Sequence, residues 1–325
     1  MSTQYRIGII GTGRIASRFI VEAATVENVS VVAVYNPNII SAERFSKEKG
    51  LKRAASLADL FDMVDIVYVA SPHDSHVDYV KSALLAGKHV LCEKPMAFSA
   101  SDAIELYELA DKKSLVLMEA VKTACFPGFK KLLEVAKSGV IGDIKFVDAT
   151  FTKLVSAEGR ELGNCPYRGS FFELGSYGLL PVVSLLGDDV KDVSFDCIRN
   201  ANDTDIFTKA TIRYDNAFAN VACGLGVKSE GKLVVAGTLG YILVPAPWWL
   251  TRDFEVHFED PNKVDYYHEP LEGDGLRYEI MELVNLIEAD ETDKNQVRSL
   301  TKYQSIAMAK VMGDFYRSSY REWRE

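Results

Sequence analysis

The residues best placed to do chemistry open the chain. Ile7-Gly8-Ile9-Ile10-Gly11-Thr12-Gly13-Arg14-Ile15-Ala16 carries an apolar run into a Gly-x-Gly-x-x-Ala turn and on into a helical pattern. Gly11 allows the tight turn. Gly13 lets the backbone approach a pyrophosphate, because no Cβ intervenes. A helix beginning near Arg14 presents unpaired N–H groups and a partial positive charge to that anion. Ala16 is small enough for helix and strand to pack closely. The expected chemistry is dinucleotide binding, with Gly11, Thr12, Gly13, Arg14 and Ile15 around the pyrophosphate. The end of the next strand, Val34-Tyr35-Asn36-Pro37-Asn38, bears on the ribose. NAD enzymes commonly place an acid there to hold the 2′-hydroxyl. This chain has Asn36 and no acid before Glu43. Nothing in the segment repels a 2′-phosphate, and Arg14, Ser41 and Arg44 are available to meet one. The expected cofactor is NAD(P)(H), with a lean to NADP.

These residues need a scaffold, and the first 120 positions supply its signature. Strand-like runs at 5–10, 29–35, 65–70, 88–92 and 115–119 alternate with helical patterns near 14–25, 40–49, 74–86 and 99–112. Val31-Val32-Ala33-Val34 and Ile66-Val67-Tyr68-Val69-Ala70 are apolar at successive positions, as in a parallel sheet covered on both faces. The expectation is an α/β Rossmann fold with a doubly wound parallel sheet. Ligands of such sheets bind beyond the carboxyl ends of the strands. Gly11–Ala16, Asn36–Asn38, Ser71–His76 and Glu93–Pro95 all fall there, so Asn36, Ser71, Pro72, His76, Glu93 and Lys94 join the candidate cofactor contacts. Ser56-Leu57-Ala58-Asp59 reads as a capped short helix. After residue 120 the style changes. A helix near 127–138 precedes strand-like runs near 143–153, 192–199, 206–214, 217–226, 231–237, 240–244 and 254–258. Short connections predict antiparallel neighbours, hence a C-terminal α+β domain with a large, mainly antiparallel open sheet. Helices near 275–290 and 300–322 close the chain. The expected division is a dinucleotide-binding domain over 1–121 and a substrate-binding and oligomerisation domain over 122–325.

Composition narrows the class. The 325 residues carry a formal net charge of −9, which argues against a nucleic-acid footprint. No apolar run approaches the length of a membrane span, and the start lacks a basic-then-apolar signal. A cytoplasmic protein with neither a membrane nor a nucleic-acid partner is expected. Cys92, Cys125, Cys165, Cys197 and Cys223 are widely spaced, which suggests reduced, mostly buried thiols. His73 and His76 have no third ligand near in sequence, and no metal site is expected.

The strand ending in Glu93-Lys94-Pro95, the opening glycine turn, Ser71-Pro72 with His76 four residues on, and Ser138-Gly139-Val140-Ile141-Gly142 occur in a specific order. Together with the antiparallel second half, they closely resemble the Gfo/Idh/MocA oxidoreductase family over essentially the whole chain. The resemblance implies that Lys94 is a catalytic lysine beside a nicotinamide. A fixed ammonium there stabilises the negative charge that develops on a carbonyl oxygen during hydride transfer. Pro95 fixes the backbone after it and is a candidate for a cis peptide. A second constellation, Gly169-Ser170-Phe171-Phe172-Glu173-Leu174-Gly175-Ser176-Tyr177, places Glu173 and Tyr177 four apart, on one face of a helix. Much of the family has Asp-x-Gly-x-x-x-His or Asp-x-Gly-x-His here. This chain resembles the dihydrodiol dehydrogenase and glucose–fructose oxidoreductase-like branch, where a tyrosine in the last position is the proposed proton donor and acceptor. Tyr177 takes that role by resemblance, assisted by a cation such as Lys94, since a free phenol titrates near 10. Glu173 stands where Asp is usual, one methylene longer.

The chain also departs from its relatives. Ala124 occupies a position that is often arginine, and Lys122 or Lys153 could compensate. Pro245-Ala246-Pro247-Trp248-Trp249 reads as sheet-edge packing or a subunit contact rather than a sugar platform. The expected function is NAD(P)-dependent hydride transfer between nicotinamide and a hydroxyl or carbonyl of a sugar-like or diol substrate, with Lys94, Tyr177 and Glu173 as catalytic residues. The alternative is a dinucleotide-binding sensor of the same fold. A homodimer or larger homo-oligomer is expected through the open face of the second sheet.

Overall fold

The computed structural model describes residues 4–163, 167–289 and 298–320. They form two compact units. In chain order the first unit supplies β1 (Tyr5–Ile10), α1 (Arg14–Ala23), β2 (Val29–Tyr35), α2 (Ile39–Lys49), β3 (Lys52–Arg53), α3 (Leu57–Met63), β4 (Ile66–Val69), α4 (His76–Leu85), β5 (His89–Glu93), α5 (Ala100–Lys112) and β6 (Leu117–Ala120). The second supplies α6 (Pro127–Lys137), β7 (Ile144–Thr152), α7 (Ser170–Leu186), β8 (Asp192–Arg199), β9 (Asp205–Arg213), β10 (Phe218–Gly224), β11 (Leu233–Gly237), β12 (Gly240–Val244), β13 (Asp253–Phe258) and β14 (Val264–His268). Helix α8 (Leu276–Glu288) belongs to the first unit, and α9 (Lys302–Tyr320) lies almost wholly in the second.

The first unit is a six-stranded sheet in the order β3-β2-β1-β4-β5-β6, with every neighbouring pair parallel. The chain reverses its direction of winding between β1 and β4, which is where such sheets bind ligands. The central strands are buried on both faces, as their unbroken apolar runs require: Ile66 to Val69 are all inaccessible. The side chain of Ser56 caps α3 by accepting the Asp59 amide at 3.1 Å, as expected. Asn38 caps α2 by accepting the Ser41 amide at 3.0 Å. Edge strand β3 is only two exposed charged residues long and has no legible sequence pattern.

Residues Glu272–Lys302 also join this unit, whereas the sequence reading divided the chain once, near 121. The cause is a carboxylate. Glu22 on α1 accepts the amides of Asp274, Gly275 and Arg277 at the start of α8. It also receives the Arg277 guanidinium at 3.1 Å from both Nε and Nη2. Burial works against the charge, but these donors outweigh it and hold the Glu22 carboxyl below its usual range. Arg18 adds an ion pair to Asp274 at 2.5 Å.

The second unit is built on an eight-stranded sheet in the order β14-β13-β12-β11-β7-β10-β9-β8. Six of its seven pairings are antiparallel. The sheet is thus mainly antiparallel, as expected, with one exception: β7 and β10 are parallel, from Phe218 opposite Phe146 to Gly224 opposite Thr152. Short turns do join the antiparallel neighbours. Between β7 and β10, however, the chain passes through α7 and the β8–β9 pair, which allows a parallel return. Strand β14 was absent from the sequence reading, since Val264–His268 is mostly exposed and has only a weak apolar face. Along β7 and β10, Val147, Ala149, Val221 and Cys223 are fully buried. Helix α7 packs on this layer so closely that a Cβ at Gly178 would lie 2.3 Å from Val221. Phe171, Phe172, Phe195 and Phe315 knit α7, β8 and α9 together edge to face. Cys92, Cys125 and Cys223 are buried and Cys197 is exposed, none of them in a disulfide among the described residues, while Cys165 lies outside those residues. No described helix is long and apolar enough to cross a membrane.

Candidate active site

In the first unit the glycine turn sits at the carboxyl ends of β1, β2 and β4. Gly11 has φ +113°, and a Cβ there would lie 2.4 Å from the Ala70 carbonyl oxygen. Its amide donates to Tyr35 O at 2.9 Å. The turn is thus wedged between two strand ends, and glycine is required by the protein itself. Gly13 is different. It is exposed, caps α1 with an extended backbone, and a Cβ there would meet no atom within 4 Å. Internal packing therefore does not demand glycine at 13, whereas close approach of a phosphate to the α1 amides does. Ala16 is fully buried beneath the turn. Thr12 and Asn36 are joined: Asn36 Nδ2 donates to Thr12 Oγ1 at 2.8 Å, and Asn36 Oδ1 accepts the Asn38 amide at 2.8 Å. The turn and the β2 end are thereby held as one surface. Arg14 is exposed at its edge and Ile15 is half-buried. These residues fit a dinucleotide pyrophosphate.

The β4 and β5 ends are braced from within. Ser75 Oγ donates to Ser71 Oγ at 2.8 Å and lies 2.7 Å from Pro72 O. His76 is completely buried, with Nδ1 2.9 Å from Pro95 O and Nε2 3.0 Å from Ser71 O. Burial lowers its pKa, assisted by the nearby Lys94 charge and opposed by the two carbonyls. Glu93 Oε1 accepts the Tyr68 hydroxyl at 2.5 Å, and the Tyr68 ring stacks on Phe19 at 3.8 Å. Burial raises the pKa of Tyr68 and of Glu93. The sequence reading set His76 and Glu93 among the cofactor contacts. In the structure His76 ties Ser71 to Pro95, and Glu93 anchors the strand end beside Lys94. Both brace the strand ends: the His76 imidazole through its two ring nitrogens and Glu93 through Oε1. Lys94 is half-buried, and its peptide bond to Pro95 is cis. The Met96 amide donates to Glu119 Oε1 at 3.1 Å, which fixes the chain just beyond. Lys122, one candidate to replace the absent arginine, donates instead to Asp274 O at 2.7 Å.

In the second unit the relevant element is α7. From Ser170 to Ser184 every residue is buried except Glu173 and Tyr177, which are partly accessible. The helix thus presents one narrow line to the outside, and that line carries the two residues expected to do chemistry. Pro181 lies four residues after Tyr177, so the backbone donor that a regular helix would aim at the Tyr177 carbonyl is missing. The start of the helix is pinned by Asp205 of β9. Its Oδ2 accepts the Phe171 amide at 2.9 Å and the Thr208 hydroxyl at 2.7 Å. Ser170 Oγ bridges Asp205 O and the Leu225 amide. Gly169, at φ +106°, leaves room for the carboxylate: a Cβ there would lie 1.9 Å from Asp205 Oδ1.

The surroundings of Tyr177 were not legible in the sequence. Its ring meets Phe151 edge-on at 5.3 Å, and Phe151 stacks on Trp249 at 3.6 Å with planes 9° apart. Phe151 belongs to a strand pattern that reads as plain core. Trp249 follows Trp248, whose fully buried indole donates to Thr150 O at 2.8 Å. The pair of tryptophans was the only sequence signal for this aromatic group, and it gave no partner.

Comparison with known proteins agrees with this architecture. Residues 5–121 match the GFO_IDH_MocA model, described as "Oxidoreductase family, NAD-binding Rossmann fold", and residues 129–243 match the GFO/IDH/MocA C-terminal domain. The chain is 28% identical over 324 residues to scyllo-inositol 2-dehydrogenase (NADP(+)) IolU of Bacillus subtilis, covering 94% of each protein. It is 28% identical over 296 residues to trans-1,2-dihydrobenzene-1,2-diol dehydrogenase of Xenopus tropicalis, covering 86% of this chain and 87% of that one. In fold it resembles KijD10, a 3-ketoreductase from Actinomadura kijaniata solved with NADP and TDP-benzene, with TM-score 0.82, 21% identity and 98% of both chains covered. It likewise resembles UDP-N-acetylglucosamine 3-dehydrogenase GnnA from Acidithiobacillus ferrooxidans, with TM-score 0.78, 18% identity and 96% of both chains covered.

Proposed function

This chain belongs to the Gfo/Idh/MocA oxidoreductase family, and we propose that it is an NAD(P)-dependent dehydrogenase or reductase acting on the CH–OH group of a sugar-like or diol substrate. The observation that carries the reading is on α7: a helix otherwise buried from Ser170 to Ser184 leaves only Glu173 and Tyr177 accessible. A helix turned inward on all other sides has no packing reason to keep a phenol at its open line.

The bound nicotinamide supplies the hydride acceptor in oxidation and the donor in reduction. Gly11, Thr12, Gly13, Arg14, Ile15 and Asn36 hold the dinucleotide, with the α1 amides facing its pyrophosphate. Ser71 and Pro72 border the same strand ends. In oxidation Tyr177 takes the substrate hydroxyl proton as the C–H bond gives up its hydride. In reduction it returns that proton. Lys94 supplies a positive charge suited to stabilising a developing oxyanion. Glu173, one turn away on the open line of α7, orients a neighbouring hydroxyl. The stacked Phe151 and Trp249 beside Tyr177 offer a π surface suited to the C–H face of a ring. NADP is the favoured cofactor. No carboxylate stands at the β2 end, Asn36 is committed to Thr12, and a relative carries NADP(+) in its name.

The reading includes a homo-oligomer. One cross-strand row of the second sheet runs Phe218, Phe146, Ala236, Tyr241, His257, Val264 in register. Phe146 packs on Phe218 at 4.8 Å and Tyr241 stacks on His257 at 4.7 Å. Phe218 is 48% exposed, a large apolar load for a solvent face. Light scattering at micromolar concentration is expected to return at least a dimer mass. None of the four described cysteines is in a disulfide among the described residues, in keeping with a cytoplasmic setting.

The test of the chemistry is Lys94→Ala. Turnover, followed at 340 nm with a panel of sugars and diols, is expected to fall about a hundredfold or more, with the cofactor Kd changed by no more than a few-fold. Undiminished turnover in the variant refutes the role. Cofactor binding without turnover on any substrate by the wild type favours a sensor.

A further inference from the structure

Glu279 on α8 is fully buried, and neither carboxyl oxygen has a hydrogen-bond partner among the described residues. Such an acid is unusual, since buried carboxylates are normally paired or bonded. Three charged groups among the described residues act on it: Glu93, Lys122 and Glu282. Glu93 faces it from β5, and the buried Tyr68, whose hydroxyl Glu93 accepts, from β4. Lys122 faces it from the segment after β6, with its ammonium committed to Asp274 O. Arg18 on α1 and Asp274 act on Lys122 in turn. Glu282, on the same helix, is taken up by the Ser299 amide at 2.7 Å and by the Ser299 hydroxyl. The cluster therefore holds two carboxyl groups, Glu93 and Glu279; the engaged ammonium of Lys122 acts on both, and the Lys94 charge acts on Glu93 and favours its anion.

We propose that Glu279 is kept as a neutral carboxylic acid and is a positioning residue for the strand end that carries Lys94. Its lack of charge lets Glu93 remain the single anion of the cluster. As an anion, Glu93 accepts the Tyr68 hydroxyl and holds β5 at its last residue, directly before Lys94. Ionising Glu279 places a second negative charge in the same low-dielectric space. Repulsion then falls on Glu93, and the Tyr68–Glu93 contact and the α8 packing both weaken. Burial is the chief cause that raises the Glu279 pKa; Glu93 and Glu282 raise it further, and Lys122 opposes them. The role at Lys94 rests on the enzymatic reading above, while the protonation state does not.

Linkage provides a readout independent of turnover. The unfolded chain ionises Glu279 near its ordinary value, and the folded chain does not. Unfolding therefore releases a proton, and raising the pH favours it. Relative to Glu279→Gln, which mimics the neutral acid, the wild-type unfolding constant is expected to rise about tenfold per pH unit from pH 5 until Glu279 ionises. Parallel pH curves for the two proteins overturn the proposal. If the variant does not fold, infrared spectra of wild type labelled with ¹³C-glutamate decide instead. A protonated carboxyl band persisting at pH 7 supports the proposal, and its absence overturns it. Where turnover is measurable, Glu279→Gln is expected to move the alkaline limb of the pH–rate profile upward. An unmoved limb with the stability shift present removes the link to Lys94 alone.

Discussion

Replacing Asp205 tests how the helix bearing Tyr177 is held. Its carboxyl is 3% exposed, and burial raises its pKa from 3.8 to about 6, even though Thr208, the Phe171 amide and Arg199 all favour the anion. Both donors meet Oδ2. An Asp205→Asn side chain can present its oxygen there and keep both bonds, with its amide group on the Gly169 side. Asn thus copies the protonated acid. The folded-state pKa lies about two units above the unfolded value, and each unit is worth about 1.4 kcal/mol. Wild type therefore loses about 3 kcal/mol relative to Asp205→Asn as the pH rises from about 4 through about 6, and the difference levels off above. Urea unfolding at a series of pH values measures it, with fluorescence of Trp248 and Trp249 reporting from the same unit. Asp205→Ala supplies the contrast. It strands the Phe171 amide and the Thr208 hydroxyl and is expected to cost about 2–4 kcal/mol at every pH. A difference between wild type and Asn that does not change with pH refutes the reasoning, because the helix amide and hydroxyl would then balance burial, and a reversed slope refutes it too, because they would outweigh it.

Three further outcomes are expected. Gly11→Ala forces a Cβ against the Ala70 carbonyl at positive φ and should lower the melting temperature, whereas Gly13→Val should leave stability near wild type and weaken dinucleotide binding at least about tenfold. The reverse pattern in thermal melts and cofactor titrations excludes the assigned roles. Asn36→Asp breaks the bond donated to Thr12 Oγ1 and adds a charge facing any 2′-phosphate. NADP affinity should fall relative to NAD by about tenfold or more in calorimetry. Trp249→Ala removes the ring stacked on Phe151 beside Tyr177, and should raise KM for ring substrates more than it lowers kcat. A loss confined to kcat counts against a substrate-facing π surface.

Some features of this protein are local, and the sequence was sufficient for them. The glycine turn follows from φ and Cβ sterics at Gly11. The N-cap at Ser56 follows from one side-chain oxygen meeting one amide. The doubly wound sheet follows from apolar runs alternating with helical periodicity, and the large second sheet from strand patterns joined by turns. Glu173 and Tyr177 were legible as an i, i+4 pair on one helix face.

What the sequence could not decide depends on residues far apart in the chain. Strand β14 and the two-residue β3 lack an apolar period, so pairing with a neighbour alone defines them. Pairing β7 parallel to β10 depends on the path through α7. Motif position put His76 and Glu93 at the strand ends, but their contacts with Pro95, Ser71 and Tyr68 come from the tertiary structure. Asp205 on β9 pins Ser170 and Phe171 at the start of α7, and Glu22 draws α8 back to the first unit. Sequence spacing by itself fixed which side chains were available for chemistry. The tertiary structure decided which remain accessible and which are consumed in holding the others, because desolvation and hydrogen bonding act on neighbours in space, whatever their separation along the chain.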